Sequence, residues 1–138
     1  KEKIAIRRTE MQKTMEECAG IYRSDATLAQ GVEKLAQLQE RVQDLSLDDL
    51  SYTFNTELTS ALELSYMLDL AEVIVQSAWQ RKESRGSHQR SDYPQRDDKK
   101  YLAHSLAYRG RDDGDPSRIE YLPVKITRWP PGKRVYGK

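Results

Sequence analysis

The chain has 138 residues, one domain by length, with 33% charged and 37% hydrophobic residues and a single phenylalanine, Phe54. This balance gives a thin core under a heavily charged surface, which suits long helices with one apolar stripe better than a sandwich or a barrel. Cys18 stands alone, which excludes a disulfide framework and a cysteine-rich metal site, and no apolar run approaches the roughly 20 residues of a membrane span.

Ile4, Met11, Met15 and Cys18 recur at helical spacing and predict a first helix over about 4–19. Gly20 is expected to end it in the left-handed conformation, and Cys18 to be buried as a small hydrophobe. Ser24 or Asp25 can cap a second helix, about 26–43, whose face is Leu28, Val32, Leu35 and Val42 with Leu38 at its margin. Gly31 costs that helix about 1 kcal/mol relative to Ala, which points to close packing at that position.

Leu45 to Phe54 breaks the period and reads as a connection. Asn55 then caps a third helix, about 56–85. Its apolar band, from Leu58, Ala61 and Leu62 through Met67, Leu68, Ala71, Ile74, Val75, Ala78 and Trp79, is wide enough to imply burial on more than one side. Three helices with short connections predict a mainly α fold: an antiparallel three-helix bundle, spectrin-repeat-like, over residues 1–86.

Residues 87–138 are expected to pack on that bundle as a polar loop, a β-hairpin and an extended tail. The hairpin strands fall near 101–109 and 118–127. Leu102, His104, Leu106 and Tyr108 share one side of the first strand, and Ile119, Tyr121, Pro123 and Lys125 one face of the second. "RDDGDPS" supplies the turn, and Pro123 makes the second strand an edge. The two prolines of "RWPPGKRVYGK" hold the end of the chain extended.

Residues 1–80 carry 8 Lys/Arg and 14 Asp/Glu, whereas residues 81–138 carry 15 and 8. Such halves either pack on each other or on a partner, or mark a polyanion-binding tail. The densest stretch is "RKESRGSHQRSDYPQRDD", Arg81 to Asp98. Arg81, Lys82 and Arg85 read as cations in the last turn of the third helix, where its dipole favours them, with Gly86 as the stop. Tyr93, Tyr101, Tyr108 and Trp129 among these cations would suit nucleic acid. However, Asp92, Asp97, Asp98, Asp112, Asp113 and Asp115 repel phosphate, so pairing within the chain is the expectation and no nucleic-acid partner is assigned. His88 and His104, the only histidines, offer no metal-ligand spacing, and His104 is expected to be a packed strand residue. No phosphate-cradling or dinucleotide-binding glycine pattern is present, so no cofactor is assigned to these residues.

"ESRGSHQRSDYPQRDD" followed by "YLAHSLAY" resembles the C-terminal region of the flavoprotein subunit of fumarate reductases and succinate dehydrogenases. "MEECAGIYRS", "KLAQLQERV" and "FNTEL" are similar to the same family's helical segment, and "VKITRWPPGKRVYG" to the fumarate reductase tail. Ser87 stands where the family usually has Ala, and Lys99, Lys100 and Tyr101 replace its common residues after Asp-Asp. The resemblance implies a parent chain with FAD that interconverts fumarate and succinate, exchanging electrons with a quinone through an iron-sulfur subunit. It implies that the catalytic and flavin-binding residues lie in preceding flavin-binding and capping domains. No catalytic, cofactor-binding or metal residue is therefore carried onto this chain, which is expected to be inactive alone. The opening at Lys1 in mid-pattern fits an excised piece.

Glu83, Arg85, His88 and Arg90 are the residues expected to dock this domain against the flavin-binding and capping domains. The implied place is cytoplasmic, peripheral on the inner face of the cell membrane through the parent complex. L-aspartate oxidase, a sister flavoprotein with a similar helical tail, is the alternative within flavoproteins. Outside them, the alternative is a free-standing helical adaptor that binds nucleic acid or an acidic partner.

Overall fold

The computed structural model describes residues 3–110 and 115–132. Three long helices, α1 (Ile4–Ala19), α2 (Asp25–Val42) and α3 (Thr56–Gln80), form the bundle. Cross-helix ion pairs show how they run. Glu10 of α1 meets Arg41 of α2 at 3.0 Å, and Glu17 meets Lys34 at 3.5 Å, a register possible only for antiparallel neighbours. Arg8 reaches Glu63 near the start of α3 at 2.8 Å, and Cys18 and Val75, near the ends of the two helices, both flank Gly31, so α1 and α3 run the same way. Exposed pairs of this kind contribute about 0–1 kcal/mol each. The stabilising term is the core between them: Ile4 and Met11 from α1, Leu28, Leu35 and Leu38 from α2, and Leu64, Leu68 and Val75 from α3.

The caps are those that local chemistry favours. Ser24 accepts the Thr27 amide while the Thr27 hydroxyl accepts the Ser24 amide, a reciprocal box at the start of α2. Asn55 accepts the Leu58 amide at the start of α3. Gly20 ends α1, but at φ −59° rather than in the left-handed region. A Cβ there would lie 2.9 Å from the Glu16 carbonyl oxygen, so glycine is required by close approach and not by its dihedral.

Two helical faces differ from expectation. Leu38 is central to the core, and Val32 and Val42 lie at its edge. On α3 the wide apolar band is buried on one side only: Leu58, Leu62 and Ile74 are exposed, as is Leu70, whereas Leu64 is wholly buried. Helix α3 also stops at Gln80, five residues before its expected end.

After α3 come β2 (Gln89–Arg90), a single helical turn α4 (Asp98–Tyr101), and a hairpin of β3 (Ala103–Tyr108) and β4 (Arg118–Pro123). β2 pairs in parallel with β1 (Tyr22–Arg23), the α1–α2 connection, as Tyr22 with Gln89 and Arg23 with Arg90. The hairpin runs from Ala103 opposite Pro123 to Tyr108 opposite Arg118. Pro123 thus ends an edge strand, as expected. Ile119 and Tyr121 are half-buried, in the expected alternation. β3 alternates less cleanly, and His104 is exposed instead of packed. Tyr101 belongs to α4 and is buried. Residues 111–114 of the expected turn, 111–117, and the end of the tail, 133–138, lie outside the described residues. Among the described residues no helix is long and apolar enough to cross a membrane.

Gly31 sits where all three helices meet. A Cβ on it would lie 2.9 Å from the Cys18 Cβ and 3.3 Å from Val75 Cγ1. Gly31→Ala would gain about 1 kcal/mol in helix propensity, but overpacking costs about 1–3 kcal/mol. The variant is therefore expected to be less stable than the parent in urea unfolding; higher stability would show that the helices part at little cost.

Candidate site: a charged brace at the end of the third helix

An α-helix leaves its last four carbonyls without helical partners. At the end of α3, Ser77 accepts the Arg81 amide at 3.1 Å. Arg90 Nη1 donates to the Ala78 and Trp79 carbonyls at 3.1 and 2.9 Å. The Tyr101 hydroxyl donates to Gln80 O at 3.3 Å, and His88 Nε2 lies 3.0 Å from Arg81 O. The polar stretch after the helix thus acts as its cap. This is why α3 ends early: Arg81, Lys82 and Arg85 lie beyond its last turn, and Gly86 is not its stop.

Gly86, at φ +59°, instead opens a tight turn in which Arg85 and His88 exchange both backbone hydrogen bonds, at 2.8 and 3.0 Å. Glycine at the first central position of a two-residue turn meets the need for a positive φ there. The turn reverses the chain, so that β2 returns alongside β1.

Two buried charges organise this end of the bundle. Glu83 is 0% exposed. It accepts from Arg81 Nε at 2.9 Å, from Arg85 Nε and Nη2 at 2.8 and 3.1 Å, and from the Asp97 amide at 2.8 Å. Burial pushes its carboxyl upward, but the donors Arg85, Asp97 N–H and Arg81 outweigh it and hold the group below the usual carboxylate range. Arg85 also reaches Asp98 at 2.6 Å, and the Glu83 hydrogen bond, ahead of Asp98, raises its guanidinium still further. Arg81 extends the cluster to Ala103 O, Ser105 Oγ and Tyr101 O, which fixes the hairpin to the helix end. Its guanidinium lies 5.5 Å from the centre of the Tyr101 ring, which in turn packs edge-on against Tyr121.

Arg90 is the second buried charge, 1% exposed. It grips Asp92 with two bonds of 2.7 Å and lies over the Tyr93 ring. Asp92 in turn accepts the Asp25 amide, the first of α2, at 2.9 Å. One ion pair therefore sets a cation at the C-terminus of α3 and an anion at the N-terminus of α2, each complementing a helix dipole. The Arg90 hydrogen bond, with help from the Asp25 amide, holds the Asp92 carboxyl down at about 2. Trp79 Nε1 closes the ring on Asp25 Oδ1 at 2.9 Å.

His88 stands between these groups. Its Nε2 faces a carbonyl, which requires a proton there, so Nδ1 is left to accept from Arg23 Nη1 at 2.9 Å. Burial, then the charges of Arg23, Arg90 and Arg81, lower its pKa, against the Arg81 carbonyl bond that raises it. Among the described residues no three His, Cys, Asp or Glu side chains gather as metal ligands.

Of the four residues singled out from sequence, Glu83 and Arg90 turn inward, while Arg85, with 27% of its side chain exposed, and half-buried His88 reach the surface. The expected pairing within the chain is present, Arg90 with Asp92 and Arg85 with Asp98. Sequence reasoning missed Arg81, Tyr101 and Arg23 as members of the same cluster.

The family model described as "Fumarate reductase flavoprotein C-term" matches residues 8–136. A fumarate reductase flavoprotein subunit of Mycobacterium tuberculosis is 56% identical over 137 residues, covering 99% of this chain and 23% of that protein. One from Haemophilus influenzae is 52% identical over 130 residues, 94% of this chain and 21% of that protein. A solved Escherichia coli quinol fumarate reductase flavoprotein superposes with a TM-score of 0.90 at 47% identity, over 98% of this chain and 23% of that one. The chain thus spans under a quarter of the length of these relatives.

Glu83→Ala would leave the Arg81 and Arg85 cations facing an empty buried site. Loss of one partner from such a site costs about 3–5 kcal/mol, and urea unfolding should show a drop of that order. His88 gives a separate pH signature. Its folded pKa is depressed below the ordinary 6.5 of a histidine, so the unfolded chain takes up the proton first. The contribution of His88 is fully present above about 6.5 and declines as pH falls toward the folded value. The stability difference between the parent and His88→Gln should therefore shrink from pH 7.5 to pH 5; a difference that grows as the pH falls would mean that the fold favours the imidazolium, whose Nδ1 could not accept from Arg23.

Proposed function

The chain belongs to the fumarate reductase and succinate dehydrogenase flavoprotein family as its C-terminal domain, and from that premise we propose that it is the scaffolding end of an FAD-dependent oxidoreductase subunit. The parent polypeptide interconverts fumarate and succinate at a flavin held by its preceding domains, and an iron-sulfur subunit passes the electrons to or from a quinone. Through that complex the flavoprotein subunit lies in the cytoplasm, peripherally on the inner face of the cell membrane. These residues supply no catalytic group to that reaction.

The observation that supports a structural role is Glu83. A carboxylate with no exposed surface, surrounded by two guanidinium groups and a backbone amide, is spent on its own neighbours and has no approach to a substrate. The same geometry gives the docking proposal its form. Glu83 and Arg90 hold the 81–98 loop rigid, while Arg85 and His88 bring its outer edge against the flavin-binding and capping domains. Arg85 uses Nε and Nη2 on Glu83 and Asp98, and Nη1 is the donor offered to a carbonyl or carboxylate of those domains.

Arg85→Ala tests this in two settings. In the 138-residue chain, Glu83 loses its Arg85 bonds but keeps Arg81 and the Asp97 amide, so the melting temperature should fall by clearly less than for Glu83→Ala. In the full-length flavoprotein the same change should lower the melting temperature or the retention of yellow colour after dialysis. A large loss in the short chain would assign Arg85 to the internal brace alone.

A further inference from the structure

The opposite end of the bundle carries a feature that the brace does not use. The α2–α3 connection presents Tyr52 and Phe54 at 105% and 96% exposure, with Leu50 also exposed beside them. This is not a loose loop. Asp49 Oδ1 accepts the Ser51 amide at 2.8 Å, and Asn55 Nδ2 donates to Asp49 O and Ser51 O at 2.8 and 3.1 Å. Glu57 Oε2 accepts the Asp48 and Asp49 amides at 2.8 and 2.7 Å. Within that frame Phe54 adopts φ +53°, a left-handed conformation that costs a bulky side chain roughly 1–2 kcal/mol. Backbone strain persists where surrounding contacts impose it, and it gathers at functional positions. Here the result is two aromatic rings held out from a hydrogen-bonded turn. On α3, Leu58 and Leu62 add further exposed apolar surface within two turns of it.

The polypeptide enters at this same end. Lys3, at the start of α1, lies 2.7 Å from Asp48 through an ion pair, and Asp48 is itself fastened to Glu57. The matched relatives are more than four times as long as the match, and the matching family model is that of their C-terminal part. Their remaining length therefore arrives beside the aromatic turn, where no separate association step is needed to bring an apolar surface to it.

We infer that Tyr52 and Phe54 are anchors that seat in an apolar surface of the preceding part of the same polypeptide. The two ends of the bundle then have separate tasks, with polar contacts at the arginine loop and apolar contacts at the turn. Large aromatic side chains fixed in one conformation suit this use, because little side-chain freedom is lost when they are covered. The inference rests on the reading of this chain as the C-terminal domain of a longer flavoprotein.

Hydroxyl-radical footprinting of the full-length flavoprotein subunit, read residue by residue by mass spectrometry, tests it on the native side chains. The reference is a synthetic peptide spanning residues 48–58. Oxidation of Tyr52 and Phe54 should be at least about tenfold slower in the subunit than in the peptide, as for fully covered interface anchors, and should not change on dilution. Rates equal to those of the peptide would overturn the inference, even if adding the iron-sulfur subunit then slowed them. Protection that disappears on dilution would also overturn it, since the covering surface would be a second copy. Flavin content and fumarate reduction are measured on the same preparation. Protected rings in a subunit without flavin or activity would sink the proposed function and leave the anchors standing.

Discussion

A 25-residue helix that ends inside the fold must find partners for its last carbonyls, and here Arg90, Tyr101 and His88 supply them for Ala78, Trp79, Gln80 and Arg81. Much else follows from that requirement. Arg90 can reach those carbonyls only if β2 returns to lie beside β1. Tyr101 can reach Gln80 only if α4 folds back over the helix end, which brings the hairpin with it. A neutral His88 that donates to Arg81 leaves its other nitrogen to accept, and Arg23 stands opposite as the donor. An unmet buried carbonyl costs about 1–3 kcal/mol, so the polar stretch contributes to stability as directly as the leucines do.

The charge asymmetry between the two halves takes its meaning from the same region. The arginines of the basic half are met largely by carboxylates of that half: Arg81 and Arg85 by Glu83, Arg85 and Arg96 by Asp98, and Arg90 by Asp92. Among the described residues the ion pairing with the acidic half is narrower, with Asp25 at the start of α2 lying 3.8 Å from Arg90. The arginines paired in this way within residues 81–98 are neutralised in place, which is a poor arrangement for gathering phosphates there.

Helices α1 and α2 were legible in the sequence because their signals agree: apolar residues at helical spacing, Gly20 after one and Ser24 before the other. The end of α3 was not. Arg81, Lys82 and Glu83 are all good helix formers, and only the distant Arg90 stops the helix before them. β1 and β2 were invisible, since two residues carry no period. The buried pair of Glu83 and Arg90 was hidden for another reason: composition places such residues at the surface, and only the closed hydrogen-bond set shows why they leave it. Leu58, Leu62 and Ile74 were misplaced because hydrophobicity reveals that a face is apolar and not which molecule covers it.

The parallel pairing of Tyr22 with Gln89 joins segments 67 residues apart in sequence, and this has a kinetic consequence. Contacts so remote must meet the entropy of closing a long loop before they return any energy. Local helix formation and the packing of α1 on α2 do not wait for them. During synthesis α3 is complete before Arg90 leaves the ribosome, and its last carbonyls face water until the later residues fold back. Release of residues 88–92 would free the end of α3 and the start of α2 together, since Arg90 and Asp92 serve both. This end of the bundle therefore closes after the helices beneath it have packed.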